Sequence, residues 1–270
     1  MPSRTSPANL LASAVLAVIL ALSAGGCSNI IGAREATGSV NVTDTASPGS
    51  DEFRRSLEAL GARYRQYPND ADVAIAYARA LRATDQRAQA VAVLEQASIR
   101  NPRNMALLGA YGRALADAGQ YQQALVTLER AHTPDNPDWR ILNVQGAVLD
   151  QLGRHAEAQR HYASALKMMP NEASVLSNLG LSYMLTKDLK SAEATLRRAA
   201  AQPNAGPRVR QNLALVVGLL GRFDEAEKIA SADLPESEAA ANVAYLRQML
   251  AQKGDWKKMG RAYATPDAGS

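Results

Sequence analysis

The chain repeats itself every 34 residues, and that period constrains its fold more than any other feature. Superposed at this spacing, one column reads Ala78, Gly112, Gly146, Gly180 and Ala214, and a second, twelve residues later, reads Ala90, Ala124, Ala158, Ala192 and Ala226. A third small column holds Ala97, Ala131, Ala165 and Ala199. Bulky columns run between them: Leu81, Leu115, Leu149, Tyr183 and Val217, and then Leu94, Leu128, Tyr162 and Leu196. Pro102 and Pro170 close their units, and Asn136 and Asn204 share that column with Pro137 and Pro203 beside them. Residue size is what recurs. Such a pattern predicts two helices per unit, with small residues letting the pair approach closely and large ones filling the space between. The third small column then receives the first helix of the next unit. The break inside each unit falls at Gly119, Gly153 and Gly221, residues able to take the left-handed conformation that ends a helix, whereas Asp85 and Lys187 fill the same column at some cost.

This spacing resembles the tetratricopeptide repeat from Ala71 to about Leu234, in five units. The usual signature tryptophan is replaced by Ala74, Leu108, Leu142, Leu176 and Arg210. The resemblance implies an all-α fold, a right-handed superhelical solenoid of helix-turn-helix pairs. Such a stack needs covers at its ends. Residues 51–68 end on Pro68, 34 residues before Pro102, and read as the second helix of an incomplete unit. Residues 69–234 hold the five repeats. Residues 235–263 form a capping region, in which Ala240, Val243, Leu246, Met249 and Leu250 make one apolar stripe and Trp256 packs on the cap. Residues 264–270 read as a disordered tail.

The other end of the chain reads differently. Arg4 is the sole charge in the first 27 residues, and an apolar run from Leu10 to Leu22 is interrupted only by Ser13. As a helix it reaches roughly 20 Å, short of a hydrocarbon core of about 30 Å. Small residues follow, then Cys27, the single cysteine of the chain. This resembles a bacterial lipoprotein box, with Ala24 where the family prefers leucine. The resemblance implies removal of a signal peptide, residues 1–26, and lipidation of Cys27, and Ser28 in place of an aspartate implies an outer-membrane destination. Residues 27–50 are poor in large apolar side chains and read as a flexible tether spanning roughly 25–30 Å. One cysteine excludes an internal disulfide framework.

Catalytic chemistry finds no constellation. No P-loop, paired-glycine nucleotide loop or serine elbow is present. His132, His155 and His161 are scattered among packing columns, so the sequence predicts no metal, no cofactor, no small-molecule substrate and no enzyme activity. The 30 basic and 26 acidic side chains alternate along the helices, a solvated surface rather than a nucleic-acid face.

In repeats of this kind the first helix of each unit lines a groove. The side chains expected there are Arg79, Arg82, Arg113 and Arg140 at one end, Asn143, Asn178, Arg208 and Asn212 in the middle, and Leu181, Met184, Leu185, Leu215 and Leu219 at the other. Asparagine pairs with a peptide backbone and arginine with a carboxylate, so an extended peptide with apolar and acidic residues is the expected ligand. The stretches Asp138–Leu166, Ser174–Ala199, Pro207–Glu227 and Asp233–Leu250 are similar to the TadD-type lipoproteins of bacterial tight-adherence (Flp pilus) systems. That resemblance implies a protein-binding scaffold, lipid-anchored on the periplasmic face of the outer membrane. Its expected partner is the secretin or another pilus-assembly component, helped in a pilotin-like way to insert or multimerise. An adaptor for cell-wall enzymes or for outer-membrane protein assembly is the alternative.

Overall fold

The computed structural model describes residues 50–262, which form twelve helices in consecutive antiparallel pairs. Residues 1–49, which hold Cys27, the leader and all of the tether but Ser50, lie outside the described residues, as do the C-terminal tail and the side chain of Trp256. The chain divides into two compact units at Asp135 and Asn136. The first contains α1 (Asp51–Gln66), α2 (Ala71–Ala83), α3 (Arg87–Arg100), α4 (Met105–Asp117) and α5 (Tyr121–Glu129). The second contains α6 (Trp139–Gln151), α7 (His155–Met168), α8 (Ala173–Leu185), α9 (Leu189–Ala200), α10 (Pro207–Leu219), α11 (Phe223–Ala230) and α12 (Glu236–Ala262).

Four of the five first helices start at a side-chain cap, and the caps keep the 34-residue period. Asp70, Asn104, Asp138 and Glu172 accept hydrogen bonds from backbone amides of the first turn of α2, α4, α6 and α8, and α10 begins instead with Gly206 followed by Pro207. Each first helix also stops in the same way. Asp85, Gly119, Gly153, Lys187 and Gly221 all take positive φ, between 60° and 85°. The amide that follows each of them reaches back to the last turn: Gln86 N to Leu81 O, Gln120 N to Leu115 O, Arg154 N to Leu149 O, Asp188 N to Tyr183 O and Arg222 N to Val217 O, at 2.8–3.2 Å. These are Schellman closures, and they turn the chain into the second helix.

The small columns then do what their size permits. A Cβ on Gly112 would lie 2.5 Å from Leu128 Cγ, one on Gly146 2.5 Å from Tyr162 Cε1, and one on Gly180 2.6 Å from Leu196 Cγ. The second-helix bulk therefore rests directly on the first-helix backbone. Ala90, Ala124, Ala158, Ala192 and Ala226 are fully buried in the same seams. Between units, Ala199 of α9 clusters with Leu176 of α8 and Val209 of α10, so the third small column meets the next first helix as expected. In the last unit both partners are small, and Ala214, Ala230 and Ala239 of α12 close together. Leu246 of α12 occupies the space over Gly218, where a Cβ would lie 2.5 Å from its Cδ2. Thus α12 packs on α10 and α11 as a further first helix would, with its buried stripe at Ala239, Val243 and Leu246.

Arg210, which stands in the signature-tryptophan column, is held rather than stranded. Its Nε and Nη2 meet both oxygens of Asp233 at 2.6 and 2.5 Å, and its Nη1 donates to Ala205 O at 3.1 Å. The paired carboxylate raises the guanidinium pKa further above its ordinary value.

Two substitutions test these closures. Gly146→Ala forces a methyl into the Tyr162 ring and lowers stability by about 1–3 kcal/mol, read as a reduced urea midpoint. Lys187→Gly relieves a left-handed non-glycine residue and raises stability by about 1 kcal/mol, read in the same titration.

Candidate functional site

The first helices place the groove residues in two separate sets. Arg79, Arg82 and Arg113 belong to α2 and α4 of the first unit, and the others to α6, α8 and α10 of the second. Arg79 and Arg113 are half-buried. Arg82 is committed: its Nε lies 2.5 Å from Asp117 Oδ2, and both side chains are mostly covered. Arg140 lies over the Trp139 ring, 4.8 Å from its centroid. Arg208 is exposed in the first turn of α10.

The asparagines are not idle groove lining either. Asn178 Nδ2 donates to Asn143 Oδ1 at 3.0 Å, and Asn212 Nδ2 donates to Ser177 Oγ at 3.0 Å. Asn143 and Ser177 are buried. Together with Arg82 and Asp117, these pairs share one spacing of 35 residues, so they join a first helix to the next first helix. Polar residues that read as ligand contacts serve as rungs between repeats. The sequence carried the signal: a polar residue in one unit has a polar mate one repeat and one residue later.

Leu181, Leu185, Leu215 and Leu219 are half-buried, on α8 and α10, which pack against each other. Met184 is only 8% exposed and belongs to the core. What remains available in the second unit is therefore an apolar strip of four leucines, with Arg208 seven residues before Leu215 on α10, roughly 10 Å along the helix axis.

A second feature was not read from the sequence. Asp150, near the end of α6, is buried, and its carboxylate collects three partners. His155 Nδ1 lies 2.8 Å from Oδ1, Ser182 Oγ donates to the same oxygen at 2.8 Å, and Tyr162 OH donates to Oδ2 at 3.1 Å. Three helices thus meet on one carboxyl group. Burial pushes the Asp150 carboxyl above its usual range, and the bonds from His155, Ser182 and Tyr162 draw it back in part. Burial, and then the Asp150 charge, push the Tyr162 phenol well above its ordinary value. The hub does not have the connectivity of a catalytic triad. The Ser182 hydroxyl bonds to the carboxylate, and Ser182 is fully buried. Among the described residues no group of three His, Cys, Asp or Glu side chains is placed to hold a metal ion.

The hub also had a signal. Asp150 stands in a column with Arg82, Ala116, Met184 and Gly218, Tyr162 with Leu94, Leu128 and Leu196, and Ser182 with Ala80, Ala114, Val148 and Val216. The Tyr162 and Ser182 columns are otherwise apolar, the Asp150 column is charged only at Arg82 besides, and Gly146 leaves room for the ring whose hydroxyl reaches Asp150.

Helix pairs with these caps, closures and small columns are tetratricopeptide repeats, and the repeat family matches residues 81–145 and 151–216. The chain is a tetratricopeptide-repeat protein, a class built for binding other proteins. No curated protein matches the sequence. Among solved structures, PilW, described as a widely conserved type IV pilus biogenesis factor, is similar with a TM-score of 0.63 and 16% identity over 72% of this chain and 91% of that one. Pseudomonas aeruginosa PilF gives a TM-score of 0.53 and 18% identity over 66% of this chain and 81% of that one. The Cut9–Hcn1 hetero-tetramer of the APC/C gives 0.59 and 16% over 75% of this chain, which spans only 41% of that one. At these identities the likeness is one of fold.

The hub predicts a pH dependence. Because folding raises the Asp150 carboxyl above its unfolded value, its favourable contribution is full below about pH 4 and is lost as pH rises through the folded value. Asp150→Asn removes that titration. Its stability relative to the wild type therefore rises between about pH 4 and pH 7; urea titrations whose difference stays flat across this range contradict the assignment.

Proposed function

We propose that the protein is a capture scaffold held by lipid at Cys27 to the periplasmic face of the outer membrane, where it supports assembly of a Flp-type pilus. In this reading the repeats bind a segment of the secretin or of another assembly component and help it insert or multimerise. The observation that carries the proposal is the order of sequence features along the chain: an apolar run followed by the single cysteine, a stretch poor in large apolar side chains, and then tetratricopeptide repeats. Support comes also from the four stretches similar to TadD-type lipoproteins, and from a fold shared with PilW over most of that pilus biogenesis factor.

The mechanism is one of local concentration. A receptor confined to a surface by a short flexible tether meets its partner there at high effective concentration, so affinity in the groove need only be modest. Within the second unit, the leucines of α8 and α10 offer apolar contact, and Arg208 offers a planar donor for an acidic group. The rungs keep neighbouring first helices in register beneath them.

Mass spectrometry of the protein recovered from membrane fractions tests the anchor. The expected mature chain begins at Cys27 and carries its acyl mass, and Cys27→Ala abolishes both the modification and secretin multimers. An unmodified chain in the soluble fraction overturns the anchor, and normal multimers in the Cys27→Ala strain overturn the secretin role.

A further inference from the structure

The inter-repeat turns of the first unit carry side chains that the fold does not need. α1 and α3 end at Tyr67 and Asn101 with nearly identical backbones, φ −129° and ψ 63° against φ −127° and ψ 58°. The turns that follow are stacked, because Asn101 Nδ2 donates to Asn69 O at 3.0 Å. Arg130 Nη2 extends the contact from the end of α5, reaching Pro102 O at 3.1 Å.

Along this edge Tyr67, Ile99 and Met105 are exposed at 51%, 71% and 40%. Packing does not demand them. The column of Ile99 holds Arg65, Thr133, Lys167 and Ala201 in other units. Between them stand Arg65, Arg100 and Arg103, exposed and without an ion pair or hydrogen bond among the described residues. The helix dipole accounts for arginines at the ends of α1 and α3, but not for the apolar residues beside them. Of the carboxylates nearby, Asp70 is occupied in capping α2 through Asp72 N at 2.9 Å and Val73 N at 3.2 Å. Asp72 is exposed, and Arg65, Arg100 and Arg103 outnumber these two carboxylates, which leaves this group of side chains net positive.

A protein partner favours a contiguous apolar patch with a desolvated centre. Here single apolar side chains alternate with long cations, the arrangement suited to a headgroup layer. Tyrosine is at home there, arginine stems lie along apolar surface while their heads stay in the polar layer, and guanidinium groups pair with phosphate oxygens. We propose that this edge rests the first unit on an anionic lipid surface, with Tyr67, Ile99 and Met105 entering the headgroup layer and Arg65, Arg100 and Arg103 meeting lipid phosphates. The contact is separate from the first-helix face and from any modification of Cys27. It adds a second attachment that orients the unit as well as tethering it.

The test uses the full chain with Cys27→Ser, so that neither a lipid nor a native thiol contributes. One cysteine is introduced, Ile99→Cys at the edge or Val126→Cys on the exposed surface of α5, and labelled with an environment-sensitive fluorophore. Vesicles of phosphatidylcholine mixed with phosphatidylglycerol should raise and blue-shift emission at position 99 and leave position 126 unchanged. Phosphatidylcholine alone should do neither, and salt at about 1 M, where the screening length is about 3 Å, should reverse the change. Replacing Arg65, Arg100 and Arg103 by glutamine should raise the lipid concentration for half-maximal response about 100-fold, roughly fivefold per charge. The apolar leader can bring the chain to vesicles by itself, which is why the readout is local. Co-sedimentation with no change at position 99, or an equal change at position 126 or with phosphatidylcholine alone, overturns the proposal. The labelled variants also report on an acidic protein: a response to soluble acidic polypeptide that vesicles do not reproduce overturns the lipid assignment as well.

Discussion

The packing of this protein depends on how closely a second helix can lie on a first. At Gly112, Gly146 and Gly180 the separation is so small that even one side-chain carbon would overlap Leu128, Tyr162 or Leu196. Interiors are packed at the density of crystals, and a contact of this kind fixes both the distance and the rotation of the two helices. The buried alanines of the second helices hold the other side of the seam. Once those pairs are set, the turns between them have little freedom, and this is where the chain tolerates left-handed Asp85 and Lys187. Their local cost is small against a closure that satisfies the end of a helix and starts the next one.

On that apolar frame lies a sparse set of polar joints. Rungs at a 35-residue spacing connect first helices, and Asp150 gathers His155, Tyr162 and Ser182 from two neighbouring helices. Apolar seams between similar helices are forgiving of small slips, whereas a hydrogen bond between two named side chains is not. The joints therefore specify the alignment of neighbouring repeats in the second unit. The relative placement of the half-buried leucines of α8 and α10 depends on that alignment, because they lie on separate helices. Other ties complete the same task at the periphery, among them the Glu193 carboxylate, which Arg222 and Arg197 hold below the usual range.

The protein separates side-chain types by face. The first helices α8 and α10 carry half-buried leucines, and the inter-repeat turns of the first unit carry exposed arginines and exposed apolar side chains. The similarity to PilW and PilF is one of fold, which fits a scaffold whose partners are chosen by the few side chains that differ from one repeat to the next.

Much of this was legible in the sequence, because helix pairing in a repeat is local. Two helices joined by a short turn lie within one 34-residue unit, so the sizes at Gly146 and Tyr162 and the turn residues from Asp85 to Gly221 could be read from their columns. The site was less legible. Asn143, Asn178 and Asn212 occupy positions that a helix projection points toward a groove, but their partners lie in a neighbouring unit, and only that packed neighbour decides whether an amide faces a ligand or another side chain. Met184 and Arg82 show the same ambiguity, one taken into the core and the other into an ion pair with Asp117. Periodicity within a unit fixed the helices; the contacts between units, which join residues far apart in sequence, decided which polar side chains hold the fold together and which remain free for a partner.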